Sequence, residues 1–272
     1  MTSSSATDSF AHLSERELLE VLDHRKLSSK HRLEPVRMSS ILVEALTRRE
    51  PESGIPTDAA YQAYHYLASD AFRQSPWGKE EVASALIAKY KNPEGNTPRN
   101  LKSPEKADAV RKGLIEDVTR LLVAEPGGHA YERFITEGAD DIRSLQEPMA
   151  IAWINAAERL ARRSIPEALE KDLTFIINAG LRSVCKHVQE ESLTVLPSII
   201  KNLPNSSKDL VCPFRNCLIS PDIDVFLAAA QSFKAVIAAA PHHFLKGLQK
   251  VFDRMYNPIP TALRLHLEAA VD

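Results

Sequence analysis

Glycine is scarce: the chain holds 9 in 272 residues, about half the ~7% of an average protein, while its 17 prolines exceed the ~5% average. Gly-rich phosphate loops and chains built from tight β-turns need the opposite balance. Cysteine is sparse as well. Three cysteines make no disulfide framework, and an odd count fits reduced thiols, which points to cytoplasm or nucleus. No apolar run approaches the ~18–20 residues that a membrane helix requires, so no membrane partner is expected. Met1 to Ser9 has neither a basic flank nor an apolar core, so no secretory signal is visible. An excess of one charge is also missing: 34 Lys and Arg oppose 36 Asp and Glu, for a formal charge of −2. That balance gives no global pull toward nucleic acid or anionic lipid.

What remains is an ordinary globular composition, 44% hydrophobic and 26% charged, whose apolar residues recur at helical spacing. No sustained period-2 alternation appears, so the fold class is all-α. Residues 1–14, rich in Ser and Thr, read as a disordered tail. Residues 15–91 form an N-terminal helical region. Within it Met38, Ile41, Leu42, Ala45 and Leu46 make one stripe, with Arg48 and Arg49 placed in its last turn and Pro51 blocking continuation. Thr57 is positioned to cap the next helix, whose apolar side takes Tyr61, Tyr64, Leu67, Ala68 and Phe72. A further helix from about Lys79 carries Val82, Leu86 and Tyr90. Residues 92–106 hold Pro93, Gly95, Pro98 and Pro104 with almost nothing apolar, the composition of a linker or a long loop.

Residues 107–272 form a C-terminal helical region with clearer stripes. Met149, Trp153, Ala156, Ala157 and Leu160 line one; Leu169, Leu173, Ile176, Ile177, Gly180, Leu181 and Val184 line the next. Others run through Leu193 to Leu203, Phe226 to Ile237 and Phe244 to Met255. Prolines punctuate them: Pro148, Pro166, Pro204, Pro221, Pro241 and Pro258 are spaced by 18, 38, 17, 20 and 17 residues. One interval fits a helix of three to four turns with its turn; two make the ~35–40 residues of a helical-hairpin repeat.

The segment Ser220-Pro221-Asp222-Ile223-Asp224-Val225, followed by an Ala-rich helix, Ala240-Pro241 and a second helix, resembles the repeats of HEAT/armadillo α-solenoids. Phe226 stands where that family often has Arg. The resemblance covers about residues 147–272 and rests on periodicity. It implies antiparallel helical hairpins stacked as a HEAT/armadillo-like right-handed solenoid, a scaffold surface, and no active residues to carry over. Leu263, Leu267 and Val271 make an apolar stripe on the last helix. That stripe fits a cropped chain, a docked partner or packing back on the preceding pair.

The search for chemistry finds little that converges. Cys185, His187, Cys212 and Cys217 lack the short C-x2-C spacing of tetrahedral zinc knuckles, and Cys185 and Cys217 sit within apolar helical stretches, so the cysteines read as buried structural thiols and no metal site is expected. His242 and His243 are adjacent and point apart on a helix, unlike i, i+4 ligands. Gly127-Gly128-His129 lacks the Lys-Ser/Thr of a phosphate loop. No hydrolase, zinc-protease or kinase motif is present, so no enzyme activity and no cofactor are expected. The basic stretch His24–Arg37 supplies Arg25, Lys26, Lys30, Arg32 and Arg37 as candidate phosphate contacts. Arg159, Arg162 and Arg163 have the simpler role of charging a helix C-terminus. Ser103-Pro104 is a candidate phosphorylation site at the start of a helix. The expected function is a non-catalytic scaffold or adaptor that binds another protein as a subunit of a larger complex; the alternative is a nucleic-acid-associated helical protein that uses the basic stretch His24–Arg37.

Overall fold

The structure is a computed structural model that describes residues 10–23, 35–50, 53–73, 79–95, 103–124, 129–140, 142–163, 167–254 and 260–271. Among the described residues the architecture is all-α; the one strand-like feature is an isolated bridge between Arg49 and Pro56. Two compact units divide the chain, Met1–Gly138 and Ala139–Asp272.

The first unit contains α1 (Glu15–Leu22), α2 (Pro35–Leu46), α3 (Asp58–Leu67), a single turn at Asp70–Arg73, α4 (Lys79–Lys91), α5 (Pro104–Ala124) and α6 (His129–Ala139). Local chemistry starts these helices. Ser14 and Glu17 form a reciprocal capping box on α1, and Thr57 caps α3 by accepting from the Ala60 amide. Glu15 of α1 also accepts from the Ala59 amide at 2.7 Å, so one helix helps to cap the other. The stripe Met38, Ile41, Leu42, Ala45 and Leu46 is buried as the spacing predicts. In α3 the buried face is Ala59, Ala60, Ala63 and Leu67, whereas Tyr61 is half exposed. Small residues, and not the tyrosine, let α3 approach α1 and α2 closely.

Arg48 and Arg49 follow α2 and do not sit in its last turn, as the sequence had them. Arg48 donates to the carbonyls of Ala11 and Leu13 at 3.0 and 2.9 Å. Arg49 donates to Leu46 O at 2.7 Å and reaches Asp117 of α5 at 2.6 Å. The 92–106 stretch joins α4 to α5 inside this unit, its residues 96–102 lying outside the described ones. Across it Arg111 Nε donates to Tyr90 O at 3.0 Å. The α6 helix is held by the Tyr131 hydroxyl, which donates to Leu67 O, and by an edge-to-face contact of Phe134 with Tyr90.

The second unit contains α7 (Glu147–Ala161), α8 (Glu167–Leu181), α9 (Lys186–Asn202), α10 (Val211–Cys217), α11 (Ile223–Ala239), α12 (His242–Asp253) and α13 (Thr261–Val271). Helices α7, α9, α11 and α13 begin at residues 147, 186, 223 and 261, so their starts lie 39, 37 and 38 residues apart. The principal packing follows the same order. The α9 helix lies against α7 and α11, α11 against α13, α10 against α8 and α12, and adjacent helices pair as α7–α8, α8–α9, α10–α11 and α12–α13. The core takes most of the stripes read from the sequence, with Trp153, Phe214, Phe233 and Phe244 fully buried; Val184 is not part of it. Leu267 of the last helix is buried too, against α11 and α12. Arg143, in a 3-10 turn before α7, stacks its guanidinium 4.9 Å from the Phe175 ring centre and ties that turn to α8.

Gly180 marks a close approach of α8 to α7 and α9. A Cβ there would overlap Ser192 Oγ of α9 and come within 3.1 Å of Ile154 Cδ1 of α7. Ser192 spends its hydroxyl on Val188 O at 2.7 Å and has little room to yield. Gly180→Ala is therefore expected to destabilise by about 1–3 kcal/mol, although alanine is the better helix former by about 1 kcal/mol. Urea denaturation of Gly180→Ala beside Gly180→Ala/Ser192→Ala checks the cause: the second change should recover part of the loss.

Candidate functional site

The starts of α7, α9 and α11 lie side by side along one edge of the second unit, because side chains from each first turn touch the next. Glu147 is the first residue of α7. Cys185 is the extended N-cap residue of α9, and His187 lies in its first turn. Asp222 caps α11 by accepting from the amides of Asp224 and Val225 at 2.9 and 3.3 Å. Helix N-termini carry a partial positive charge that favours acidic groups there, and Glu147, Asp222 and Asp224 occupy those places.

Two clusters bridge the three starts. In the first, the Cys185 thiol donates to Glu147 Oε2 at 3.2 Å, and His187 Nδ1 lies 3.0 Å from Glu147 Oε1. The three donor atoms all lie within 4.8 Å of one another. The thiol hydrogen bond, then that of the imidazole, holds the Glu147 carboxyl below its usual range. In the second, Lys186 Nζ pairs with Asp224 at 2.8 Å, which pushes the lysine up and the aspartate down. Around this polar row, Val184 is fully exposed, and Ile219, Ile223 and Leu227 are also exposed.

The carboxylate stands between thiol and imidazole. In a Cys–His nucleophile the imidazole must take the thiol proton directly, with the acid behind it. Here both groups point at the acid, one on each of its oxygens, and not at each other. The arrangement is that of a three-donor cluster, not of an activated nucleophile.

One thiol matches the sequence reading and two differ from it. Cys217 is buried at the end of α10, its thiol 3.6 Å from Leu181 O, and burial pushes it up to about 11. Cys185 is only half-buried and Cys212 is exposed. Neither is the buried structural thiol expected, since Cys185 lies ahead of its helix and Cys212 on the outer side of a short one. The stripe that included Val184 ends with α8 at Leu181, and Val184 falls in the connection. Sequence reasoning also missed Glu147. It has no local signature, and its only signal is its place 38 residues before Cys185, one repeat length.

Of the candidate phosphate contacts, Arg25, Lys26, Lys30 and Arg32 lie outside the described residues. Arg37 is exposed on α2, its guanidinium 5.7 Å from the Phe10 ring centre. Ser103 caps α5: its hydroxyl accepts from the Lys106 amide at 3.4 Å, and its own amide donates to Glu94 at 2.9 Å. A phosphate on Ser103 would meet the helix N-terminus and the Glu94 carboxylate together, one favourable and one repulsive.

A groove of about 640 Å³ in the first unit, between α2 and α4, is lined by Val36, Val43, Ala85 and Ala88 with Glu44 and Lys89. Glu80 and Glu81 also line it; Glu44 pairs with Lys89 at 2.7 Å and Glu80 with Arg133 at 3.2 Å. No described helix is long and apolar enough to cross a membrane. No family model, no curated protein and no solved structure matches the chain.

Proposed function

We propose that the chain is a non-catalytic scaffold or adaptor, a subunit of a larger protein complex in the cytoplasm or nucleus, whose second unit is a short α-solenoid of HEAT/armadillo type. The observation that carries this reading is the repeat of α7, α9, α11 and α13 at 39, 37 and 38 residues, together with packing between helices one and two places apart. Helical hairpins that cannot bury an apolar face alone pack in this order, and the stack presents an extended surface. The exposed Val184, Ile219, Ile223 and Leu227 supply apolar contact area along the edge of helix starts.

The test is an affinity pulldown of the full chain from its native cell extract, washed at low and high salt, with and without nuclease. Val184→Glu/Ile223→Glu serves as the edge variant, both side chains being exposed so that the core is untouched. A protein partner that survives salt and nuclease and is lost with the edge variant supports the scaffold. Partners lost with nuclease or salt, and retained by the edge variant, would move the reading to nucleic acid and the His24–Arg37 stretch.

A further inference from the structure

Glu147, Cys185 and His187 bring three chemically different donors together from two helices. We propose that they form a binding site for a thiophilic divalent cation of the zinc type, held by one carboxylate oxygen, one thiolate and one imidazole nitrogen. The inference stands independently of the scaffold reading.

The size of the donor triangle is the first argument. Zinc bonds of about 2.0–2.3 Å at tetrahedral angles set neighbouring donors roughly 3.3–3.6 Å apart. The thiol lies 3.2 Å from Glu147 Oε2 and the imidazole nitrogen 3.0 Å from Glu147 Oε1, and one donor atom from each residue falls within 4.8 Å of the other two. Small side-chain adjustments therefore admit an ion in place of the two hydrogens now shared with the carboxylate.

The donor set is the second. Thiolate and imidazole suit zinc, whereas calcium and magnesium take oxygen ligands in larger number. Three protein donors, each at least partly exposed, leave a fourth position for water or for a donor from a partner.

The support beneath the ligands is the third. Glu147 and His187 stand in the first turns of α7 and α9, which pack against each other. The Ser183 hydroxyl accepts from the Cys185 amide at 3.1 Å and fixes the turn that carries the thiol. The two helix N-termini oppose a bare cation. The carboxylate and thiolate supply two negative charges, so the complex with a divalent ion is formally neutral. The ammonium of Lys186, between Cys185 and His187 in sequence, is engaged by Asp224 with Asp222 and Glu190 beside it.

Protons balance as follows. The ion displaces the thiol proton to solvent, and the neutral imidazole binds through Nδ1 with its hydrogen on Nε2. One proton leaves for each ion bound, or two where His187 starts protonated. Affinity consequently rises with pH.

Co²⁺ titration of the full chain in a Cys212→Ser background, followed by displacement with Zn²⁺, tests the site. The expected result is one Co²⁺ per chain, with a thiolate-to-cobalt charge-transfer band and tetrahedral-type visible absorption, both lost on adding Zn²⁺. Cys185→Ser should abolish the charge-transfer band. Glu147→Gln and His187→Ala should each weaken binding by more than about tenfold, the loss that even outer-shell partners of a metal ligand cause. His243→Ala, on α12, should leave it unchanged. Circular dichroism verifies that each variant is folded, and Zn²⁺ should raise the Tm of the parent more than that of the ligand variants at the same concentration. Absence of saturable binding would overturn the proposal, as would a charge-transfer band that persists in Cys185→Ser or affinity unaltered in Glu147→Gln.

Discussion

Arg49→Ala should cost the first unit about 3 kcal/mol of stability, the low end of what removing one partner of a buried ion pair takes. The pair ties the segment that follows α2 to α5: Arg49 Nη2 lies 2.6 Å from Asp117 Oδ2, with the side chains only 24% and 7% exposed. Gly113, one turn before Asp117, makes the reach possible, since a Cβ there would stand 3.1 Å from Arg49 Nη2. Removing the guanidinium leaves a buried carboxylate whose remaining cation, Arg120, is at 3.4 Å and half exposed. It also removes the donors that Leu46 O and Arg48 O now accept from. Replacing both members with apolar residues, Arg49→Met/Asp117→Leu, should be nearly neutral or stabilising, because no uncompensated charge is left behind. Urea denaturation of both variants measures the difference; a single variant as stable as the parent would show that the pair contributes nothing.

The same pair carries a pH dependence of unusual sign. Burial raises the Asp117 carboxyl above its ordinary 3.8, and the Arg49 guanidinium offsets that only in part. The folded state therefore holds this proton to higher pH than the unfolded state does. The stability linked to Asp117 is fullest below 3.8 and declines as pH rises through the folded value, opposite to an ordinary salt-bridged aspartate. Close geometry and a raised carboxyl are compatible: the contact is favourable, and desolvation outweighs it.

How much of this was legible depends on the range of the interaction. The Thr57 cap needs only the next three residues, and the stripe from Met149 to Leu160 needs only its own helix; both read correctly. Val184 extends a helical period past Leu181, but the period says nothing about where the backbone stops being helical, and the side chain ends in solvent. Residues 92–106 have the composition of a linker, yet α4 and α5 pack across them, while the division at Gly138 and Ala139 has almost no compositional mark. Asp117 and Glu147 were invisible for one reason. Each acquires its role from a residue 68 or 38 positions away, Arg49 in one case and Cys185 in the other. Only the repeat period gave any hint of the second contact.

Phe214→Ala and Phe233→Ala should each destabilise the second unit by about 3–5 kcal/mol, the usual cost of truncating a fully buried phenylalanine. The rings belong to α10 and α11, are 0% and 1% exposed, and stack with centroids 6.3 Å apart and planes at 21°. The α10 helix has only seven residues, too few to persist without tertiary contacts, so its packing against neighbours must hold it. The double variant should lose less than the sum of the singles, by about 0.5–1.5 kcal/mol, if the ring pair contributes beyond its buried area. Strict additivity would assign the whole effect to burial. Trp153 is retained in all three variants and, buried in α7 of the same unit, offers fluorescence as a second probe beside circular dichroism. Because α11 begins at Asp222–Asp224 and touches α9 through Lys186, loosening α10 from α11 should also weaken the edge on which the proposed partner and cation depend. Loss of partner binding in Phe233→Ala at temperatures where circular dichroism still reports a folded chain would tie the core of the repeat to its surface.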